Sequence, residues 1–144
     1  MIIGCTGNYR KKEFYTIVQK VHAILIKEEI EFIISSDLTK NSEFNIPPDF
    51  RIMDFPLMVE KCDLLFAIGG DGTILSTVRR LEQNMIPIMG IHIGGLGFLS
   101  ECTEDNLAES IAYILNSNYT VSDRMLLEAQ IVPHKDSKQM LWAL

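Results

Sequence analysis

Leu64-Leu65-Phe66-Ala67-Ile68 is an apolar run without a polar interruption, and it stops abruptly at Gly69-Gly70-Asp71-Gly72-Thr73. An unbroken run of that length reads as a strand covered on both faces, which belongs to a parallel sheet with helices above and below. Beyond the glycines, Ile74, Leu75, Val78 and Leu81 recur at helical spacing, with Thr73 placed to cap the helix. Strand, glycine turn and helix N-terminus together suit a phosphate. Glycine permits close backbone approach, while free N–H groups and the helix dipole favour an anion. Asp71 sharpens the reading. A carboxylate among those glycines repels phosphate unless a cation bridges the two or the carboxylate takes a proton from an attacking hydroxyl. The stretch therefore points to phosphoryl transfer; a tight turn with a solvated aspartate is the plain alternative.

The flanking segments supply the rest of such a sheet. Met1–Cys5 reads as a strand ending in the loop Thr6-Gly7-Asn8-Tyr9. From Lys12 to Glu29, Phe14, Ile17, Val18, Val21 and Leu25 form one apolar helical stripe. Lys11, Lys12, Glu13, Lys20 and Glu28 fall on its wet side, and His22 sits at the boundary as a packing residue rather than a ligand. Glu31–Ser35 is the second strand, which makes the opening a βαβ unit. Ser36 to Pro48 is polar and irregular, and Pro56 to Lys61 allows a short helix.

After Glu82 and the Gln83-Asn84 turn, Ile86–Ile91 reads as a further strand. It leads into a second glycine loop, His92-Ile93-Gly94-Gly95-Leu96-Gly97-Phe98-Leu99-Ser100, in which Leu96, Phe98 and Leu99 supply an apolar wall. Loops leaving the carboxyl ends of neighbouring parallel strands gather along one edge, so the two glycine loops are expected to face one crevice. Thr103 is placed to cap a last helix carrying Leu107, Ile111, Ile114 and Leu115 inward. Met125–Val132 and Gln139–Leu144 then read as a hairpin joined across Pro133–Lys138. The expected fold is α/β, a Rossmann-like parallel sheet with helices on both faces, followed by the first strands of an incomplete β-rich domain. The boundaries are 1–122 and 123–144.

Composition narrows the partners. A chain of 144 residues with 47% hydrophobic content is long enough for one packed core. A net charge of −6 argues against nucleic acid, since there is no basic face to displace counterions. No apolar run is long enough to span a bilayer, and the N-terminus lacks a signal-like layout, so a cytoplasmic protein is expected. Cys5, Cys62 and Cys102 are odd in number and far apart, and they read as reduced core thiols.

At Gly69–Thr73 together with Gly90–Leu99 the sequence resembles the NAD kinases, and the resemblance runs on to Arg124-Met125-Leu126-Leu127 and the last residue. Diacylglycerol and sphingosine kinases share the first motif. They are expected to carry Gly-Thr-Gly-Asn-Asp in place of the second, and this chain does not. The resemblance implies phosphorylation of the adenosine-ribose 2′-hydroxyl of NAD by ATP or polyphosphate, with Mg²⁺. It implies Asp71 as a general base that also organises the metal indirectly. It implies contacts to ligand from Gly69, Gly70, Gly72, Thr73, Gly94, Gly95, Leu96, Gly97 and Phe98, with Phe98 lining an adenosine pocket. A homo-oligomer, dimer or tetramer, is expected of the full-length protein, and an unfinished hairpin edge favours self-association.

Two departures stand out. His92 occupies a position where the family usually has Asn, as a functional histidine or as a tolerated loop residue. The family also continues past Ala143-Leu144 with an Asn-acidic pair and a long β domain that supplies much of the NAD site. Two other readings are a lipid kinase-type domain, which predicts a membrane-directed surface, and a non-catalytic nucleotide-binding module.

Overall fold

The computed structural model describes residues 1–40, 47–94, 97–100, 102–131 and 139–143. Within them lies a parallel sheet of β1 (Ile2–Gly7), β2 (Glu31–Ser35), β3 (Arg51–Met53), β4 (Leu64–Gly69) and β5 (Ile88–His92), in the order β3-β2-β1-β4-β5. The chain winds outward from β1 to β3, returns to pair β4 with the other side of β1, and moves out again to β5. Connections leaving β1 and β4 therefore diverge. Such a switch point opens a crevice at the carboxyl ends of the strands.

Side-chain alternation divides the core into two layers. Ile3, Cys5, Phe32, Ile34, Leu64, Phe66 and Ile68 pack with α1 (Glu13–Lys27) and α4 (Leu107–Leu115). Ile33 and Leu65 pack with α2 (Phe55–Val59) and with Leu81 of α3 (Asp71–Leu81). Helices thus cover both faces, and β4 is buried along its whole length, as its unbroken apolar run requires. Phe14, Ile17, Val18, Val21 and Leu25 are all buried on α1. His22 packs against the Phe50 ring at a centroid distance of 4.0 Å, a packing residue as expected.

Several boundaries differ from the sequence reading. β1 continues through Gly7 because Thr6 and Gly7 keep pairing with Ala67 and Ile68. β3, within a stretch given no strand, is a short edge strand whose register is set by pairing with Ile33–Ser35. Thr73 is not the cap of α3. Gly70 is, since its carbonyl already accepts the N–H groups of Thr73 and Ile74, and the Thr73 hydroxyl instead takes a long 3.4 Å bond from the Gly70 N–H. Thr103 likewise stands outside α4, whose cap is Asn106. The Asn106 side chain turns back to accept from both the N–H and the hydroxyl of Thr103.

A separate antiparallel pair, β6 (Leu127–Ile131) and β7 (Gln139–Ala143), forms the expected hairpin, whose connection lies outside the described residues. Ser36–Lys40, read as irregular, forms a 3₁₀ turn. No helix among the described residues is long and apolar enough to cross a membrane. All three cysteines are free, and burial pushes the Cys5 thiol far up and that of Cys62 to about 11, so they are poor nucleophiles.

Candidate functional site: a cleft between two βα turns

The loop after β1 and the start of α3 face each other at the switch point. Gly7–Lys11 on one side and Gly70, Gly72, Thr73 and Ser76 on the other line an open cleft of about 440 Å³. The helix supplies N–H groups and its positive end; the loop brings Arg10 and Lys11 to the lining. A chain of net charge −6 thus gathers two cations at the cleft where an anion would enter. The sequence reading missed both, and it placed Lys11 on the wet side of a helix. Lys11 instead precedes α1, is half-buried, and its Nζ donates to the Ile93 carbonyl at 2.7 Å. The signal was the switch point itself, which puts the first loop of the sheet in the same crevice as the fourth strand's turn.

The two glycine loops do meet, and Asp71 is the meeting point. The Phe98 N–H donates to Asp71 Oδ2 at 2.9 Å and the Leu99 N–H to Oδ1 at 3.2 Å. These two donors hold the carboxyl below its ordinary range, so it is anionic at neutral pH and fixed in direction. Each oxygen has lone pairs left over to receive a further proton donor. Beneath it, the Ile93 N–H donates to the Gly69 carbonyl at 2.8 Å and seats the second loop on the end of β4.

The glycines divide by what the protein itself demands. A Cβ on Gly97 would overlap the Asp71 carboxylate, and one on Gly69 would overlap the Thr73 hydroxyl. Gly94 adopts φ +98°, a conformation side chains disfavour. Gly72 is different. It lies in the first turn of α3, exposed, with nothing within 4 Å of an added Cβ. Gly70, extended at φ −123° and ψ −172°, would meet only His92 Nε2, at 3.6 Å. The fold does not need glycine at either place, and the bare backbone they leave is the surface a phosphate would use. Phe98 holds Asp71 through its main chain while its ring is wholly exposed. Gly95 and Leu96 lie outside the described residues.

Among the described residues there is no cluster of three or more metal-ligating side chains. A metal here would therefore be held by one carboxylate together with ligand phosphates, the manner usual for Mg²⁺.

A family model described as the ATP-NAD kinase N-terminal domain matches residues 3–119. The NAD kinase of Pseudomonas entomophila (strain L48) is 29% identical over 135 residues, covering 94% of this chain and 45% of that protein. The NAD kinase of Caldicellulosiruptor saccharolyticus is 30% identical over 129 residues, covering 90% of this chain and 43% of that protein. The chain thus spans less than half the length of these relatives. The crystal structure of yeast NADH kinase complexed with NADH superposes with a TM-score of 0.81 at 21% identity, over 99% of this chain and 46% of that one. An NAD kinase from Archaeoglobus fulgidus in complex with ATP superposes with a TM-score of 0.56 at 19% identity, over 90% and 41%. At these identities the likeness is one of fold.

Proposed function

The chain belongs to the NAD kinase family, and from that premise we propose that it supplies the phosphoryl-transfer half of an enzyme that makes NADP from NAD. The observation that carries this reading is the Asp71 carboxylate, fixed by two N–H donors beside a cleft lined by glycines and cations. In the proposed reaction the donor, ATP or polyphosphate, lays its phosphates along the cleft over Gly70, Gly72 and Thr73, facing Arg10 and Lys11. The adenosine-ribose 2′-hydroxyl of NAD approaches Asp71, which accepts its proton as the oxygen attacks the terminal phosphorus. Phosphoryl transfer asks mainly for positioning and charge neutralisation, and the cleft offers both. Mg²⁺, which Asp71 would help to organise indirectly, would supply further charge neutralisation there. Gly94, Gly97 and Phe98 form the acceptor side of the site, with the exposed Phe98 ring available to the adenine; Gly95 and Leu96 are assigned to it by the family resemblance alone.

The reading includes a phosphate-binding domain over 1–122 and the start of a β-rich domain over 123–144. It also includes a soluble cytoplasmic protein that is homo-oligomeric at full length. The test is NADP formation from NAD, ATP and Mg²⁺ by the chain alone and joined to a β-rich segment that completes the length of its relatives. NADP formed by the joined protein is the expected result; none from either overturns the reading. In the active form, Asp71→Asn is expected to lower turnover about 10²–10⁴-fold, the usual worth of a general base. The melting temperature should stay close to the parent's, and near-normal turnover would remove Asp71 from its role.

A further inference from the structure

His92 is a polar side chain of this site that the phosphate reading leaves without a task. It ends β5 opposite Gly69 and is only 8% exposed. Its main-chain N–H is committed to the Cys102 carbonyl at 2.7 Å, which fixes its height against the glycine turn. On the ring, Nδ1 is fully buried and has no hydrogen-bond partner among the described residues. Nε2 is the ring atom that approaches the N-cap of α3, 3.6 Å from where a Cβ on Gly70 would stand. Gly70 has no side chain to fill that gap.

The buried orphan decides which nitrogen carries the proton. A buried N–H without an acceptor is rarer and costlier than a buried lone pair without a donor. The neutral ring therefore keeps its proton on Nε2, turned toward the start of an eleven-residue helix. A helix N-terminus alone would say little. Here a histidine only 8% exposed, with Nδ1 unpartnered among the described residues, turns its Nε2 toward it.

We propose that His92 is a ligand-binding residue whose Nε2–H donates to an anionic phosphoryl oxygen seated on the N-terminus of α3. This rests on the phosphoryl-transfer reading above and adds a donor to it. An imidazole N–H is placed to orient a phosphoryl oxygen, and the ring also acts electrostatically on the nearby Asp71 carboxylate.

The test uses the 144-residue chain and tripolyphosphate as the probe, followed by calorimetry, with melting temperatures recorded for each variant. His92→Leu keeps bulk and removes the donor. His92→Gln places an amide nitrogen near the position of Nε2, while that of His92→Asn falls short of it. The expected result is binding weakened about tenfold or more in His92→Leu and His92→Asn, the worth of one hydrogen bond to a charged group. Binding should be largely restored in His92→Gln, with all melting temperatures alike. Unchanged binding in His92→Leu overturns the proposal and leaves the phosphate site standing. Equal weakening in His92→Leu and His92→Gln, with lowered melting temperatures, also overturns it, because the ring would then be structural. No tripolyphosphate binding by the parent chain brings down the phosphate reading and this proposal with it.

Discussion

Gly72 and Gly97 look alike in the sequence and answer to different demands. Gly97 is small because the Asp71 carboxylate lies where its Cβ would be; Gly72 is small with nothing of the protein near it. Glycine in an exposed helical turn costs about 0.5–1 kcal/mol relative to alanine. Gly72→Ala is therefore expected to raise stability by about 0.4–1 kcal/mol, read from the urea midpoint, while weakening tripolyphosphate binding. A stabilised variant that binds equally well would show that the open surface at Gly72 serves no ligand. At this scale Asp71 was legible in the sequence, because a carboxylate among glycines is chemically out of place. Lys11 was not, since its task comes from the Ile93 carbonyl 82 residues away.

Elements are held in place by polar contacts that hydrophobic periodicity does not reveal. Arg80, in the last turn of α3, donates to both carboxylate oxygens of Asp37 at 3.0 and 3.3 Å and to the Thr6 hydroxyl at 3.2 Å, and lies over the Phe55 ring at 3.7 Å. One side chain thus ties α3 to β1, α2 and the turn after β2. Burial pushes the Asp37 carboxyl up, but the Ser35 hydroxyl and the Arg80 guanidinium outweigh it and leave the pKa lowered. A depressed folded-state pKa means that Asp37 contributes stability above the ordinary carboxylate value of about 3.9. That contribution is lost as pH falls through the lower, folded value. Thermal melts from neutral pH into this acid range should show a fall that is shallower in Asp37→Asn. Equal slopes would mean that the ion pair is not coupled to folding. The strands and helices themselves were largely legible, because each buries one stripe or face. What escaped were the elements set by pairing or by caps: the short β3, and the true starts of α3 and α4, where Gly70 and Asn106 displaced the threonines.

For the molecule as a whole, the sheet order matters more than any one loop. Among the residues whose side chains are described, both core clusters fall between Ile2 and Leu115, which makes the boundary after residue 122 testable. Residues 1–122 alone are expected to unfold in one cooperative transition close in midpoint to that of the 144-residue chain. A non-cooperative or strongly lowered transition would tie the core to the hairpin and argue against the boundary after residue 122. The same order brings the loop after β1 and the turn after β4 together, and β5 adds the loop that grips Asp71. Parallel strands could be foreseen from the apolar runs; the switch point and the crevice's cations could not, because they depend on which loops the winding brings face to face.

The grip on Asp71 also makes its two donors a gauge of the base. Amide hydrogens at Phe98 and Leu99 should exchange slowly with deuterated solvent while the carboxylate accepts them, and that protection should persist down to unusually acid conditions. A proton transferred to either oxygen would weaken the bond to the amide on that oxygen, even at neutral pH. Isotope uptake at two neighbouring positions would then report, without any turnover, the moment at which the substrate claims the carboxylate.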